Sequence, residues 1–109
     1  MRKRCKLRLT SKVVLLLTFG VSSAWAGSKE HLISIRNMQF EPAAVNVNIG
    51  DMVIWKNEDL VPHSATAKGV FDSGILESDK SYKFVVKKKG SFEYICSFHP
   101  TMKAMIKVR

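Results

Sequence analysis

Three residues near the C-terminus, Cys96, His99 and Met102, are spaced three apart and could bind a metal together. They follow one apolar alternating segment and precede another, so we expect all three on one short loop. A thiolate, an imidazole and a thioether are soft or borderline donors, and this set suits copper that cycles between two oxidation states. The spacing therefore predicts a loop that supplies three ligands of a copper site.

A second imidazole must come from elsewhere in the chain. Besides His99, the sequence contains only His31 and His63. His31 begins a predicted strand near the expected mature N-terminus, whereas His63 lies in a chain-reversing loop that could aim its side chain inward. Two histidines and a cysteine in one plane, with a long axial methionine, are the arrangement of a blue copper site. We therefore predict a copper ion with the ligands His63, Cys96, His99 and Met102, and we expect His31 to bind none.

The predicted ligands also have ordinary structural interpretations. Cys96 could be a buried core cysteine, because free cysteines are often buried. Met102 alone would more often be a core side chain, and His63 could be a loop histidine with satisfied hydrogen bonds. The combination of types and spacing, rather than any one residue, favours the metal site.

Short segments of period two position these residues, which is typical of strands. We predict strands at 31–36, 44–49, 52–55, 82–86, 91–96 and 104–109, with a mostly irregular stretch between 59 and 81 that holds short strand fragments. The pattern suggests antiparallel pairing, with a hairpin turn at 88–90. No window of helical periodicity reaches three turns. We expect an all-β fold, a Greek-key sandwich or barrel of about seven or eight strands.

The first 26 residues have the order of a secretory signal peptide: basic residues, an apolar run over 13–21, then Ala24-Trp25-Ala26. That run is about half of the roughly 20 residues that a membrane span needs, although an uncleaved anchor is the alternative. We predict cleavage after Ala26, a single domain over 27–109 and a periplasmic location. The domain would contain one cysteine, so a bound metal, rather than a disulfide, would stabilise this small fold.

The mature charge does not indicate a nucleic-acid partner. Six of the 18 basic residues fall within the leader, so the remaining 12 exceed the nine acidic residues by three. No interleaving of aromatic and basic residues suggests a surface for stacking bases.

Two motifs resemble those of the cupredoxins: Pro62-His63 followed by Phe71-Asp72-Ser73-Gly74, and Tyr94-x-Cys96-x-x-His99-Pro100-x-Met102. Within that family the likeness is closest to the amicyanins and amicyanin-like proteins, and it covers residues 29–109. The resemblance implies the same four copper ligands, with both imidazoles binding through Nδ1. It also implies a one-electron carrier with no enzymatic activity of its own.

Three positions depart from the family pattern. Ser64 stands where many cupredoxins have an asparagine that ties the two ligand loops together, and its shorter hydroxyl could do so only by reaching Ser97. Phe98 stands where amicyanins usually have proline, so its amide could donate to the Cys96 sulfur and raise the reduction potential. Ala104 stands where relatives often have glycine, which should affect only packing.

Redox proteins are the partners that this resemblance implies, a dehydrogenase or a cytochrome. Amicyanins serve methylamine dehydrogenase, but nothing in this sequence selects one partner. Phe98, Pro100 and Met102 could be simple loop packing, or they could ring an exposed edge of His99 at which a partner docks transiently. We expect a monomer. Copper trafficking or buffering by the same site is an alternative function, and a metal-free binding sandwich is another.

Overall fold

Alternating apolar residues form nine strands in residues 27–109, the part of the chain that the computed structural model describes. They are β1 (Glu30–Arg36), β2 (Gln39–Glu41), β3 (Ala44–Val47), β4 (Met52–Asn57), β5 (Thr66–Ala67), β6 (Phe71–Asp72), β7 (Ser81–Val85), β8 (Gly90–Ile95) and β9 (Lys103–Val108). The described residues include no helix long and apolar enough to cross a membrane. The predicted leader and its cleavage site lie outside these residues and stay predictions.

The strands form two sheets that pack face to face. The first sheet has the order β2-β1-β4-β7, and the second has the order β3-β9-β8-β5-β6. Their inner faces bury an aromatic cluster in which Trp55 contacts Phe71, Tyr82 and Tyr94 at ring-centroid distances of 4.9, 5.7 and 5.5 Å. Aromatic side chains bury large apolar areas, so this cluster dominates the core of a small domain. The prediction of an all-β sandwich is confirmed.

The burial of individual strands follows the sequence pattern closely. Met52-Val53-Ile54-Trp55 in β4 is apolar on both faces, which is typical of a central strand, and β4 pairs with β1 on one side and β7 on the other. On β9 the alternating residues Ala104, Ile106 and Val108 share one face, and that face is buried. The irregular stretch after β4 contains β5 and β6, each of two residues, as the expected short fragments.

The predicted pairing is wrong in three places. β1 pairs with β4 in parallel, and β3 pairs with β9 in parallel, so the sheets are mixed rather than antiparallel. The segment at 88–90 is not a hairpin, because β7 and β8 belong to different sheets and this turn crosses between them. Alternation reports which face of a strand is buried, and it carries no information about which strand lies beside it.

One pairing brings the candidate site together. β4 leads into the segment that contains His63, whereas β8 ends at Ile95, directly before Cys96. Thr66 pairs with Ile95 in the second sheet. The residues after His63 therefore run beside the end of β8.

Candidate metal centre

Cys96, His99 and Met102 lie on the connection between β8 and β9, and backbone hydrogen bonds tie them to one another. The Cys96 amide donates to the Met102 carbonyl at 3.1 Å and closes the base of the loop. The His99 amide donates to the Cys96 carbonyl at 3.2 Å, and the Met102 amide donates to the His99 carbonyl at 2.8 Å. The spacing of three thus produces two consecutive tight turns, which hold the three side chains on one self-supporting segment.

His63 is fixed by an isolated β-bridge to Leu76. The His63 amide donates to the Leu76 carbonyl at 3.0 Å, and the Leu76 amide donates back at 2.7 Å. The His63 side chain is fully buried. A buried imidazole in a bridged segment has little freedom to move, so its position relative to the core is well defined.

Three of the four predicted ligands converge. The ligand atoms of His63, Cys96 and His99 all lie within 4.8 Å of one another. The Cys96 sulfur is 3.7 Å from Nδ1 of His63 and 3.6 Å from Nδ1 of His99. Both imidazoles thus direct Nδ1, the atom that the family resemblance implies, towards the thiol.

These distances fit a metal held in a plane by two nitrogens and one sulfur. With metal–nitrogen and metal–sulfur distances of about 2.0–2.1 and 2.3 Å and angles near 120°, each nitrogen would lie about 3.7 Å from the sulfur. The observed separations of 3.7 and 3.6 Å are close to this value. The group formed by His63, Cys96 and His99 therefore fits a type 1 copper site.

Met102, the predicted axial ligand, is buried at the end of the same loop. Its amide is bonded to His99 and its carbonyl to Cys96, so its backbone is fixed against both of these donors. A buried thioether next to an apolar core is compatible with a weak axial contact. Ligation by Met102 remains a proposal.

Asp59 supports His63 from the side opposite the thiol, and the sequence analysis missed it. Its carboxylate lies 2.8 Å from Nε2 of His63 and also accepts hydrogen bonds from the amides of Asn37 and Met38. Burial raises the pKa of Asp59, but these hydrogen bonds outweigh burial and hold it below its ordinary value. A carboxylate at Nε2 keeps the proton there and leaves the Nδ1 lone pair free for a metal.

Asn57 is a second residue that the sequence analysis missed. Its fully buried side chain donates to the carbonyls of Val61 and Leu76 at 2.9 and 2.8 Å and accepts from the Asp59 amide at 2.9 Å. These bonds link the end of β4, the loop before His63 and the bridge partner of His63. The one available signal was a polar residue at an inward position of an apolar strand.

Ser64 links the segment that follows His63 to the loop of Cys96 through hydrogen bonds with Ser97. Its hydroxyl lies 2.8 Å from the Ser97 hydroxyl and accepts a hydrogen bond from the Ser97 amide at 2.8 Å. The Ser64 amide donates to the Cys96 sulfur at 3.4 Å. The sequence analysis expected Ser64 to link the two ligand loops only if its side chain reached Ser97, and the side chain does reach Ser97.

The expectation for Phe98 is not met. Among residues 27–109, the backbone amide that donates to the Cys96 sulfur belongs to Ser64, and the Phe98 amide makes no such bond. The tight turn from Cys96 to His99 directs the His99 amide, not that of Phe98, back into the loop. The predicted rise in reduction potential therefore loses its structural basis.

The surface beside His99 differs in part from the predicted patch. His99 is partly exposed, and Phe98 and Pro100 are exposed on either side of it. Met102 is buried and does not belong to this surface, because its side chain joins the core.

His31 lies outside the cluster of His63, Cys96 and His99. Its Nε2 is 2.8 Å from the carboxylate of Asp51, which is itself buried. The metal-binding group found within the described residues contains His63, Cys96 and His99.

Comparisons with known proteins agree with this geometry. A family model described as a cupredoxin-like domain matches residues 9–108. Amicyanin-alpha of Methylorubrum extorquens is 33% identical over 94 aligned positions, and the alignment covers 81% of this chain and 77% of that protein. Amicyanin of Paracoccus versutus is 25% identical over 123 aligned positions, 92% of this chain and 93% of that protein.

A solved structure has the same fold. The Cu(I) form of a single-residue mutant of amicyanin superposes with a TM-score of 0.70 at 24% identity, over 76% of this chain and 85% of that one. At this identity the likeness concerns the fold alone. The two packed sheets described above are therefore shared with a protein whose solved form holds copper.

Proposed function

The chain belongs to the family of cupredoxin-like domains, and we propose that it is a periplasmic carrier of single electrons that holds one copper ion. The proposed ligands are His63, Cys96, His99 and Met102. The observation that carries this proposal is the convergence of two Nδ1 atoms on the Cys96 sulfur, at 3.7 and 3.6 Å. When bound, copper supplies a couple between its two oxidation states that exchanges one electron.

The surrounding residues keep the donors in place. Asp59 orients His63 through Nε2, and Ser64 fixes the Cys96 loop to the segment that follows His63. Bonds within the Cys96–Met102 loop hold the remaining donors. Donors that move little between two oxidation states keep the reorganisation cost of electron transfer low, and this rigidity favours a carrier over a protein that releases its metal.

The donor set also supports a role without substrate turnover. A catalytic metal site keeps an open position for water or substrate. Here two imidazoles, one thiolate and one thioether account for a complete blue copper ligand set. We therefore propose that the chain passes electrons and performs no further chemistry.

Contact with partners is proposed around His99. It is partly exposed, whereas His63 and Cys96 are buried, so among these three donors His99 is the one that reaches the surface. Phe98 and Pro100 flank it with exposed apolar atoms. Small apolar surfaces suit the weak, transient complexes of redox proteins, such as those with a dehydrogenase or a cytochrome.

The periplasmic location rests on the leader sequence. Basic residues, a short apolar run and small residues before position 27 are the order of an export signal. Fractionation of cells that express the full chain tests this, with the N-terminal residue of the exported product as readout. A product that keeps its basic N-terminus in the cytoplasmic fraction would refute it.

Electron carriage is tested by voltammetry of the copper-loaded protein, combined with challenge by a copper chelator. We expect reversible one-electron waves through many cycles and slow copper loss. Cys96→Ser is the control, because it removes the thiolate and leaves a residue of similar size. Rapid transfer of copper to the chelator with no reversible wave would contradict the carrier and favour copper delivery.

A further inference from the structure

A line of side-chain hydrogen bonds continues from the inter-loop brace to the protein surface. The Ser97 hydroxyl lies 2.8 Å from Ser64 Oγ, which lies 3.0 Å from Thr66 Oγ1. The Thr66 hydroxyl donates to the carboxylate of Asp72 at 3.2 Å. Three hydroxyls thus connect the residue after Cys96 to a carboxylate on β6.

The carboxylate at the end of the line determines the direction of every bond in it. An ionised carboxylate accepts hydrogen bonds and donates none, whereas a hydroxyl donates one and accepts up to two. Because the Thr66 proton is directed to Asp72, the bond between Thr66 and Ser64 requires the Ser64 proton. Towards Ser97, the Ser64 oxygen can then only accept hydrogen bonds.

The two contacts that Ser97 makes with Ser64 fit this direction. The Ser97 amide donates to Ser64 Oγ at 2.8 Å, and the Ser97 hydroxyl lies 2.8 Å from the same oxygen. The Ser64 hydroxyl would then donate its one proton to Thr66 and accept two hydrogen bonds from Ser97, which is its full hydrogen-bonding capacity. If the Ser64 proton pointed at Ser97 instead, Thr66 would lose its donor.

We propose that Thr66 and Asp72 are positioning residues, which act on the loop of Cys96 through the orientation of the Ser64 hydroxyl. Their effect on copper rests on the proposed function. Their effect on proton positions does not, because the hydrogen bonds exist without a metal. Hydrogen bonds in a chain polarise and strengthen one another, so a fixed direction holds the loop more firmly than serines free to exchange roles.

Hydrogen bonds and strand pairing hold the Asp72 carboxylate in place as the acceptor for Thr66. It pairs with Thr66 across the β5–β6 ladder, and the same carboxylate oxygen accepts the Gly74 amide at 2.8 Å. Gly74 has a positive φ of 62°, the left-handed conformation that lets the chain turn back towards Asp72. The terminal acceptor is therefore part of a defined turn rather than a free surface side chain.

Neutron diffraction of the metal-free, deuterated protein tests the direction without copper. We expect the Ser97 deuteron to point at Ser64, the Ser64 deuteron at Thr66, and the Thr66 deuteron at Asp72. A Ser64 deuteron directed at Ser97 would overturn the inference. A protein that shows the expected deuterons but binds no copper would keep this inference and refute the proposed function.

Variants of Thr66 and Asp72 test the effect on the copper loop. Thr66→Val removes the hydroxyl and keeps the shape, and Asp72→Asn weakens the terminal acceptor. We expect Thr66→Val to accelerate copper loss to a chelator about fivefold, the factor for one hydrogen bond of ~1 kcal/mol. We also expect it to shift the thiolate-to-copper absorption band. Thr66→Ser should restore the wild-type rate and spectrum because it restores the hydroxyl.

The combination of variants separates a directed chain from general effects of charge or stability. The double variant of Thr66→Val and Asp72→Asn should lose copper no faster than Thr66→Val alone, because the chain is already broken. Glu93→Gln removes one exposed carboxylate on β8 and should leave the rate unchanged. Additive effects, or an equal effect of Glu93→Gln, would overturn the inference.

Discussion

Two histidines of this chain contact a buried or partly buried carboxylate through Nε2 at the same distance, yet their rings have different surroundings. His63 lies 2.8 Å from Asp59, and His31 lies 2.8 Å from Asp51. On the other side of its ring, His63 faces the Cys96 sulfur, whereas His31 does not belong to the metal-binding group of the described residues. Both carboxylates therefore orient an imidazole, and the sulfur across the ring is what distinguishes His63, the proposed copper ligand, from His31.

The two carboxylates also differ in what else they hold. Asp51 accepts the amides of Asn48 and Lys29, at 2.9 and 3.0 Å, and so joins the turn before β4 to the start of β1. Asp59 accepts amides from the β1–β2 turn and lies in the loop that leads to His63. One pair thus stabilises the fold at a distance from the site, and the other connects the fold to the site.

The largest expected difference between the pairs is in the effect of replacing each histidine. His63→Gln should lower copper affinity more than 100-fold, a larger effect than the roughly 10–100-fold that loss of a supporting residue causes. His31→Gln should leave affinity and colour unchanged. Copper titrations monitored by visible absorption measure both. Equal losses in the two variants would remove the distinction between the histidines.

The carboxylates provide the next comparison. Asp59→Asn should weaken copper binding about 10–100-fold, because Nε2 loses its charged partner. Asp51→Asn should lower the free energy of unfolding of the metal-free protein and leave copper affinity unchanged. Competition with a chelator and urea unfolding separate the two effects. A copper defect in Asp51→Asn would contradict the assignment of this pair to the fold.

Acid should act on the pair that stabilises the fold. The Asn48 amide, followed by His31, holds the pKa of Asp51 below its ordinary value of 3.8 in spite of burial. A carboxyl group with a lowered folded pKa contributes stability above its ordinary pKa, and this stability is lost as pH falls through the folded pKa. Metal-free wild type should therefore lose stability below about pH 4 more steeply than Asp51→Asn. Urea unfolding between neutral and acidic pH measures the slopes, and equal slopes would contradict this.

The smallest effect is expected at an exposed pair adjacent to Asp59. Glu58 pairs with Arg36 at 2.7 Å on the surface. Exposed ion pairs contribute about 0–1 kcal/mol, so Glu58→Gln should change the free energy of unfolding by less than ~1 kcal/mol and should not change copper affinity. This variant sharpens the comparison, because it removes a carboxylate one residue away from Asp59. A copper defect as large as that of Asp59→Asn would show that nearby charge, rather than the bond to His63, supports the site.

The sequence was sufficient to predict the class of fold and the residues that converge. Alternation identified the buried face of β9, because burial on one side of a strand leaves a period-two signal, and a continuous apolar run identified β4 as a central strand. The spacing of Cys96, His99 and Met102 could be interpreted because local turns alone place residues three apart on one loop. The soft donor types of these residues then favoured copper as the bound metal.

Features that depend on how the chain is arranged in three dimensions could not be predicted. The parallel pairing of β1 with β4 and the crossing between β7 and β8 leave the alternation unchanged. Asp59 and Asn57 look like ordinary loop and strand-end residues until His63 is placed beside them. The amide that reaches the Cys96 sulfur comes from Ser64, 32 residues away, and not from a residue within the loop.

The most direct test of the central claim is titration of the purified, metal-free protein with cupric ion, monitored by visible absorption. The account predicts an intense thiolate-to-copper band that saturates at one copper per chain and is absent in Cys96→Ser. A protein that stays colourless, or an equally intense band in Cys96→Ser, would contradict it.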